Sequence, residues 1–138
     1  MEPRHLVESY KFWDVVTLWA KERIEAQEVV ARALARGIIC DGLRVNSRDP
    51  KWIKGNSSSF ELRGYPYVGY APKPNSEMSI IRIEALEHLL AIVREGKNPS
   101  EEKLNEEFIG RDHFKVWCKD QGLLLPSFWF LESENVVA

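Results

Sequence analysis

Cysteine is scarce in this sequence, and long apolar runs are missing. The 138 residues include two cysteines, Cys40 and Cys118, whose spacing matches neither a disulfide framework nor a zinc site. Free cysteines are usually buried, so both are expected to be reduced thiols inside the protein. No apolar stretch approaches the roughly 20 residues that a membrane span requires, and the chain does not open on a signal-peptide pattern. The sequence therefore predicts a cytoplasmic protein with no membrane partner.

Motifs that hold metals, phosphates or cofactors are also missing. The three histidines are His5, His88 and His113. They show no His-Glu-x-x-His spacing, and no Cys-x-x-Cys pair accompanies them. Glu84 and His88 are i, i+4 neighbours, for which a surface contact is the expected outcome. The sequence thus predicts no cofactor and no metal, and it favours a non-catalytic protein. A small enzyme whose site assembles from dispersed residues remains an open alternative.

What the chain does contain is the composition of a folded domain. Apolar residues make up 44% and charged residues 29% of the sequence, close to globular averages. Five Trp, six Phe and four Tyr supply large side chains for a core. A chain of this length buries about 68% of its unfolded surface, so it needs no metal or disulfide. We expect one globular domain over residues 1–131 and a frayed tail over 132–138.

Apolar residues at helical spacing predict several helices. The first covers residues 12–22, where Phe12, Val15, Val16 and Trp19 form one stripe. The second covers 26–36, with Gly37 as a left-handed cap. Whether 12–36 is one helix or two stays open at this stage. Further helices are predicted at 84–95, after Ser100 and at 112–121, the last with Phe114, Trp117 and Cys118 facing inward.

The middle of the chain has the signals of strands and turns. Residues 38–40, 43–45 and 78–83 are β-prone, and 52–53 with 60–62 resemble a hairpin around a polar tip at 55–59. The run 64–74 contains three prolines, which exclude a helix and a central strand, so an aromatic-rich loop is expected.

Together these signals predict an α+β fold, with about four to five helices packed on a small, mostly antiparallel sheet. The N-terminal half also allows a winged-helix-like arrangement, with 26–36 as the reading helix and 51–63 as the wing.

Charge is distributed unevenly along the chain. Segment 42–73 carries a net charge of +4, whereas the two flanking segments are acidic and the whole chain has a net charge of −2. The candidate binding surface in this segment mixes cations with aromatic rings: Arg44, Arg48, Lys51, Trp52, Lys54, Arg63, Tyr65, Tyr67 and Tyr70. This composition is typical of surfaces that bind phosphates and stack bases, and also of protein interfaces. The alternative is a loop whose tyrosines fill the core.

The same surface allows a nucleic-acid partner, but two features of the chain argue against it. Glu25 and Glu28 lie at the start of the would-be reading helix, where a DNA backbone would repel them. The isoelectric point near 6.0 is also low for such a domain.

The apolar C-terminal run 123–131 indicates a further candidate interface. Its large rings are Phe128, Trp129 and Phe130, which must be covered either by their own domain or by a neighbour. The sequence therefore predicts a non-catalytic interaction or regulatory protein that acts through contacts with a protein partner or with a second copy of itself, as a homodimer. A nucleic-acid-binding, winged-helix-like regulator using residues 44–73 is the alternative.

Overall fold

The computed structural model describes the backbone of residues 4–46, 57–62, 65–70, 77–104 and 107–135, and the side chains of residues 5–45, 84–104 and 107–135. In chain order the elements are a 3-10 helix (Arg4–Leu6), β1 (Ser9–Lys11), α1 (Phe12–Arg23), α2 (Gln27–Cys40), β2 (Val45–Asn46), β3 (Ser57–Leu62), β4 (Tyr65–Tyr70), α3 (Glu77–Glu95), α4 (Glu101–Leu104), β5 (Phe108–Gly110), α5 (Arg111–Asp120) and a second 3-10 helix (Glu132–Asn135).

The described strands form one mostly antiparallel sheet. Their order is β1-β5-β2-β4-β3, and the pairing is antiparallel except between β2 and β4, which run parallel. The predicted α+β fold, with about four to five helices on a small sheet, is confirmed. The winged-helix detail is not confirmed, because α2 buries a broad face against α1 and α3, and residues 51–56 of the predicted wing lie outside the described chain.

The buried apolar side chains form one cluster, to which the five helices, β2, β5 and the segment 125–130 contribute. Helix α1 supplies the predicted stripe, and its Trp19 ring meets Phe114 of α5 edge-on at 5.2 Å between centroids. Phe114 in turn lies 5.4 Å from Trp129 and stacks on Phe130. The aromatic residues therefore connect the N-terminal helices to the C-terminal segment. No described helix combines the length and the hydropathy needed to cross a membrane.

Residues 12–40 form two helices separated at Ile24. Ile24 adopts φ 54° and ψ 48°, the left-handed conformation that usually ends a helix. The following Glu25 N–H donates to the Ala20 carbonyl at 3.0 Å, which closes the last turn of α1. The question left open by the sequence is thus answered by one residue with a positive φ.

Helix α2 is longer than predicted, and its glycine has a different role. Gly37 was expected to end the helix, but the helix continues to Cys40 because Ile38 and Ile39 extend its buried face. The left-handed turn falls on Gly42, with φ 76°. The predicted strand at 38–40 is therefore wrong, and of the next β-prone segment, 43–45, only Val45 belongs to a strand, β2.

The hairpin exists, but its strands differ from those predicted. Residues 57–59, placed in the tip, pair with residues 68–70, and the predicted aromatic loop contains β4. Proline is tolerated there because Pro66 pairs with Glu61 of β3 and lies away from Gly69 and Tyr70, where β4 also pairs with β2. Because β4 is paired on only one side at Pro66, the sheet can accommodate this proline.

Helix α3 begins at Glu77, so the predicted strand at 78–83 is wrong. A short apolar run cannot be told from a buried helix segment by periodicity alone, which explains the error. The predicted ends are confirmed nearby, since Gly96 takes φ 70° after α3 and Gly122 takes φ 71° after α5.

The first part of the predicted tail forms a short helix, and the fraying of the tail stays a prediction. Glu132–Asn135 form a 3-10 helix in which Asn135 accepts from Leu125 N–H at 2.7 Å, and residues 136–138 lie outside the described chain.

Candidate functional site

A groove of about 800 Å³ lies between α3 and the segment that follows it. We call it the His88 groove. The described residues that line it are Glu84, Glu87, His88, Leu90, Ala91, Arg94 and Glu95 of α3, Lys97 of the following loop and Lys103 of α4.

Helical spacing accounts for the α3 wall. Leu86 and Leu89 are buried in the core, while Glu84, His88 and Ala91 recur every three or four residues. Residues at that spacing lie one above the other on the same helix face. One side of α3 therefore packs inward while the adjacent side faces the groove.

The second wall of the groove is the segment 96–103 that follows α3, and Arg32 of α2 attaches this segment to α2. Its guanidinium donates to the Gly96 carbonyl at 3.2 Å and to Asn98 Oδ1 at 3.1 Å, and it forms an ion pair with Glu28 at 2.9 Å. Charge-assisted hydrogen bonds of this kind are stronger than neutral ones. The turn after α3 is thereby held in place, and Lys97 with it.

His88 lies on the boundary between the core and the groove. Its side chain is 7% exposed, and Nε2 accepts a hydrogen bond from the Ser100 backbone N–H at 2.9 Å. An imidazole nitrogen that accepts carries no proton, so the ring is neutral and its proton is on Nδ1. Burial, and then the ammonium groups of Lys103 and Lys97, lower the pKa of His88. The expected surface contact with Glu84 is corrected: His88 is buried, and its partner is Ser100.

Among the described residues that line the groove, acidic and basic side chains are equal in number. The acids are Glu84, Glu87 and Glu95, and the cations are Arg94, Lys97 and Lys103. Two of the acids lie toward the N-terminal end of the α3 wall, and Arg94 and Lys97 lie at the other end. Leu90 and Ala91 add an apolar component. This surface can therefore pair with a ligand that carries both signs of charge and an apolar group.

The two cysteines differ in their exposure to solvent. Cys118 is buried, and burial raises the pKa of its thiol to about 12, so it is protonated and unreactive at neutral pH. Cys40 is exposed at the end of α2, which corrects the expectation that both thiols are buried. Within the described residues, no three His, Cys, Asp or Glu side chains are grouped to hold a metal ion.

The candidate surface at 44–73 lies largely outside the described side chains. Arg44 is half-buried. The pKa of His113 is lowered mainly by burial of the ring and, to a smaller extent, by the nearby charge of Arg44. Tyr65, Tyr67 and Tyr70 are on β4. Arg48, Lys51, Trp52, Lys54 and Arg63 lie outside the described residues. The nucleic-acid alternative built on this surface stays a prediction.

The three rings of the candidate interface are inside the protein. Phe128, Trp129 and Phe130 are 4%, 0% and 3% exposed, and Trp129 Nε1–H donates to the Val7 carbonyl at 2.8 Å. The chain covers its own apolar C-terminal run, so these rings do not form an exposed surface for a second copy. Self-association itself remains a prediction.

Most of the groove residues were missed by the sequence reasoning. Glu87, Ala91 and Arg94 follow the same helical spacing as Glu84 and His88, so a polar face of α3 was detectable. The second wall was not, because Lys97 and Lys103 reach the groove only through the fold.

Comparisons of the chain with models of known protein families, with curated proteins and with solved structures found no match.

Proposed function

We propose that this chain is a non-catalytic interaction domain that binds a segment of a partner protein in the His88 groove. The observation that supports the proposal most directly is the balance of charge among the described residues of the groove, which include three carboxylates, three cations and the apolar Leu90 and Ala91. A peptide with an apolar residue and charges of both signs complements such a surface, whereas a nucleic acid would require an excess of cations.

The state of His88 also favours binding over proton transfer. A general base needs a free lone pair within reach of its substrate. The lone pair on Nε2 is already engaged by the Ser100 N–H, and Nδ1 carries the proton. The ring can therefore donate a hydrogen bond toward a ligand, but taking up a proton would cost it the bond to Ser100.

We propose the cytoplasm as the compartment in which the domain acts. Cys40 and Cys118 are both free thiols, and Cys40 is exposed, which suits a reducing environment.

Peptide selection tests the proposed groove. A library of random peptides would be selected against the immobilised chain, and the Kd of the recovered peptides measured by fluorescence anisotropy. The Ala91→Glu variant places a carboxylate in the groove at a residue that is only partly exposed. We expect it to weaken binding by about tenfold or more, equivalent to about 1.4 kcal/mol.

The matched control is Ala33→Glu, which makes the same change on the exposed face of α2. It should leave the affinity within about twofold, since surface changes away from the contact have small effects. Equal binding to both variants, or recovery of no peptide, would rule out the groove as the partner site.

A small enzyme is the second candidate, and one observation favours it. The groove brings His88 together with Glu84 and Glu87, which is the grouping of titratable side chains that an acid–base site requires. A panel of chromogenic esters and phosphate esters tests this candidate. Turnover that disappears in His88→Gln and persists in Ala33→Glu would support it, and the absence of turnover with the whole panel would end it for these reactions.

A further inference from the structure

His88 joins the two walls of the groove. Segment 96–103 supplies Lys97 and Lys103 to the second wall, and its Ser100 N–H donates to His88 Nε2 on α3 at 2.9 Å. Ser100 also starts α4, where its Oγ accepts from Lys103 N–H at 3.4 Å. A displacement of Ser100 from His88 would therefore move the wall that carries both lysines.

This link requires a neutral ring. A neutral imidazole has one lone pair, and here Nε2 uses it to accept from Ser100. An imidazolium has an N–H on both nitrogens and cannot accept. Protonation would therefore set two donors, Nε2–H and the Ser100 N–H, against each other and remove the hydrogen bond.

The acidic and basic groups near His88 have opposite effects on its pKa. The charged groups that line the groove with it are Glu84, Glu87, Arg94 and Glu95 on α3, Lys97 in the loop and Lys103 on α4. Glu101 and Glu102 begin α4, directly after Ser100, and Arg32 of α2 bonds to the turn at Gly96. The acids favour an imidazolium and the cations oppose it. Arg32 is committed to the turn at Gly96 and Asn98. Burial and the two lysines prevail, since the pKa of His88 is lowered.

We propose that acidification releases segment 96–103 from α3, and that the His88 groove holds its partner only while His88 is neutral. The second part rests on the proposed function. The first part concerns the fold alone, because the ring, its acceptor atom and the amide that it holds all belong to this chain.

The direction follows from linkage between protonation and release. A released ring is expected to titrate at its ordinary pKa of 6.5, whereas the linked ring titrates lower. The linked state is therefore favoured most strongly above pH 6.5. Below that value the ratio of linked to released molecules falls about tenfold per pH unit, and it levels off once the pH reaches the pKa of the linked ring.

Amide hydrogen exchange measured by NMR tests the release. The protection of the Ser100 amide, corrected for the intrinsic exchange rate at each pH, should fall in the wild-type chain as the pH drops below 6.5. The Gln121 amide, directly after α5, donates to the Trp117 carbonyl at 3.0 Å, and it should keep its protection as an internal control for unfolding away from the groove.

The His88→Gln variant separates protonation from other acid effects. A glutamine side-chain oxygen can accept from Ser100 but does not titrate, so protection of Ser100 should no longer depend on pH. Constant protection in the wild type down to about pH 5, or the same loss in His88→Gln, would overturn the proposal.

Peptide binding distinguishes the two proposals. Peptides selected near neutral pH should bind the wild type progressively more weakly as the pH falls below 6.5 and released molecules accumulate, and His88→Gln should show no such loss. If the affinity stays unchanged in acid while Ser100 is released, protonation of His88 does not control peptide binding, although the groove can still be the partner site. Release of Ser100 with no peptide bound at any pH would overturn the proposed function and support the release.

Discussion

Ile24 holds a backbone conformation that costs a β-branched residue free energy. Its φ is 54°, and its side chain is 92% exposed, so little packing offsets the strain. Ile24→Gly should therefore raise the free energy of unfolding by about 0.5–1 kcal/mol, measured by urea denaturation.

Lys21→Gly is the matched control, since it puts glycine at an exposed position inside α1. That variant should lose about 1 kcal/mol, because glycine is unfavourable within a helix. A loss of stability in Ile24→Gly as well would show that the isoleucine side chain contributes more than its exposure indicates.

Gly37 is required for a close approach between two helices. A Cβ at this position would lie 2.7 Å from Cε2 and Cζ2 of Trp117, and that ring is itself packed in the core. Gly37→Ala should lower the free energy of unfolding by about 1–3 kcal/mol, the usual cost of overpacking, in spite of the better helix propensity of alanine.

Arg36→Ala, at the neighbouring exposed position of α2, should change the stability by less than about 0.5 kcal/mol. A stable Gly37→Ala variant would mean that the Trp117 ring can move away from α2.

At the scale of elements, α5 and the last 3-10 helix are held together by Glu134. Its carboxylate accepts from Arg111 Nη2 at 2.7 Å, from Lys115 Nζ at 3.3 Å and from the Leu131 N–H at 2.7 Å. The bond from Arg111 contributes most to lowering the pKa of Glu134 to about 2. Arg111 also lies over the Phe130 ring, 4.3 Å from its centroid.

Replacement of this carboxylate should have an effect that depends on pH. Glu134→Gln should cost about 1–2 kcal/mol of stability near neutral pH, since it removes charge-assisted hydrogen bonds. A carboxylate with a lowered pKa stabilises the fold above its ordinary value of 4.5, and this stabilisation is lost as the pH falls toward about 2.

Thermal unfolding followed at several pH values checks this expectation: the difference from the wild type should shrink below pH 4.5. Glu132→Gln in the same 3-10 helix is exposed and should have little effect at any pH. A difference of constant size across the acid range would contradict the assigned role of the ionised carboxylate.

For the molecule as a whole, the C-terminal run is part of the core. Leu125, Phe128, Trp129 and Phe130 are all at most 4% exposed. A chain that ends at Gly122 loses these side chains, and large-to-small changes at single buried aromatics already cost about 3–5 kcal/mol. We expect this shortened chain to lose cooperative unfolding and its near-ultraviolet circular dichroism.

The control keeps the length and changes only exposed surface. Leu124 is 78% exposed, so Leu124→Ser should unfold within about 0.5 kcal/mol of the wild type. A shortened chain that unfolds cooperatively would show that the remaining domain has a sufficient core of its own.

The sequence by itself determined the features that depend on residues a few positions apart. The stripe from Phe12 to Trp19, the cap at Ser100 and the glycines that end α3 and α5 predicted these helices and the α+β class, because helix periodicity and end signals act locally.

The tertiary structure decided everything that needs a distant partner. Gly37 lies inside a helix because Ile38 and Ile39 are buried and the Trp117 ring lies against the glycine, and β4 accepts Pro66 because of where its neighbours pair. The same reason applies to the groove. His88 is buried and neutral because the fold brings the Ser100 N–H to its ring, and no spacing in the chain specifies that contact.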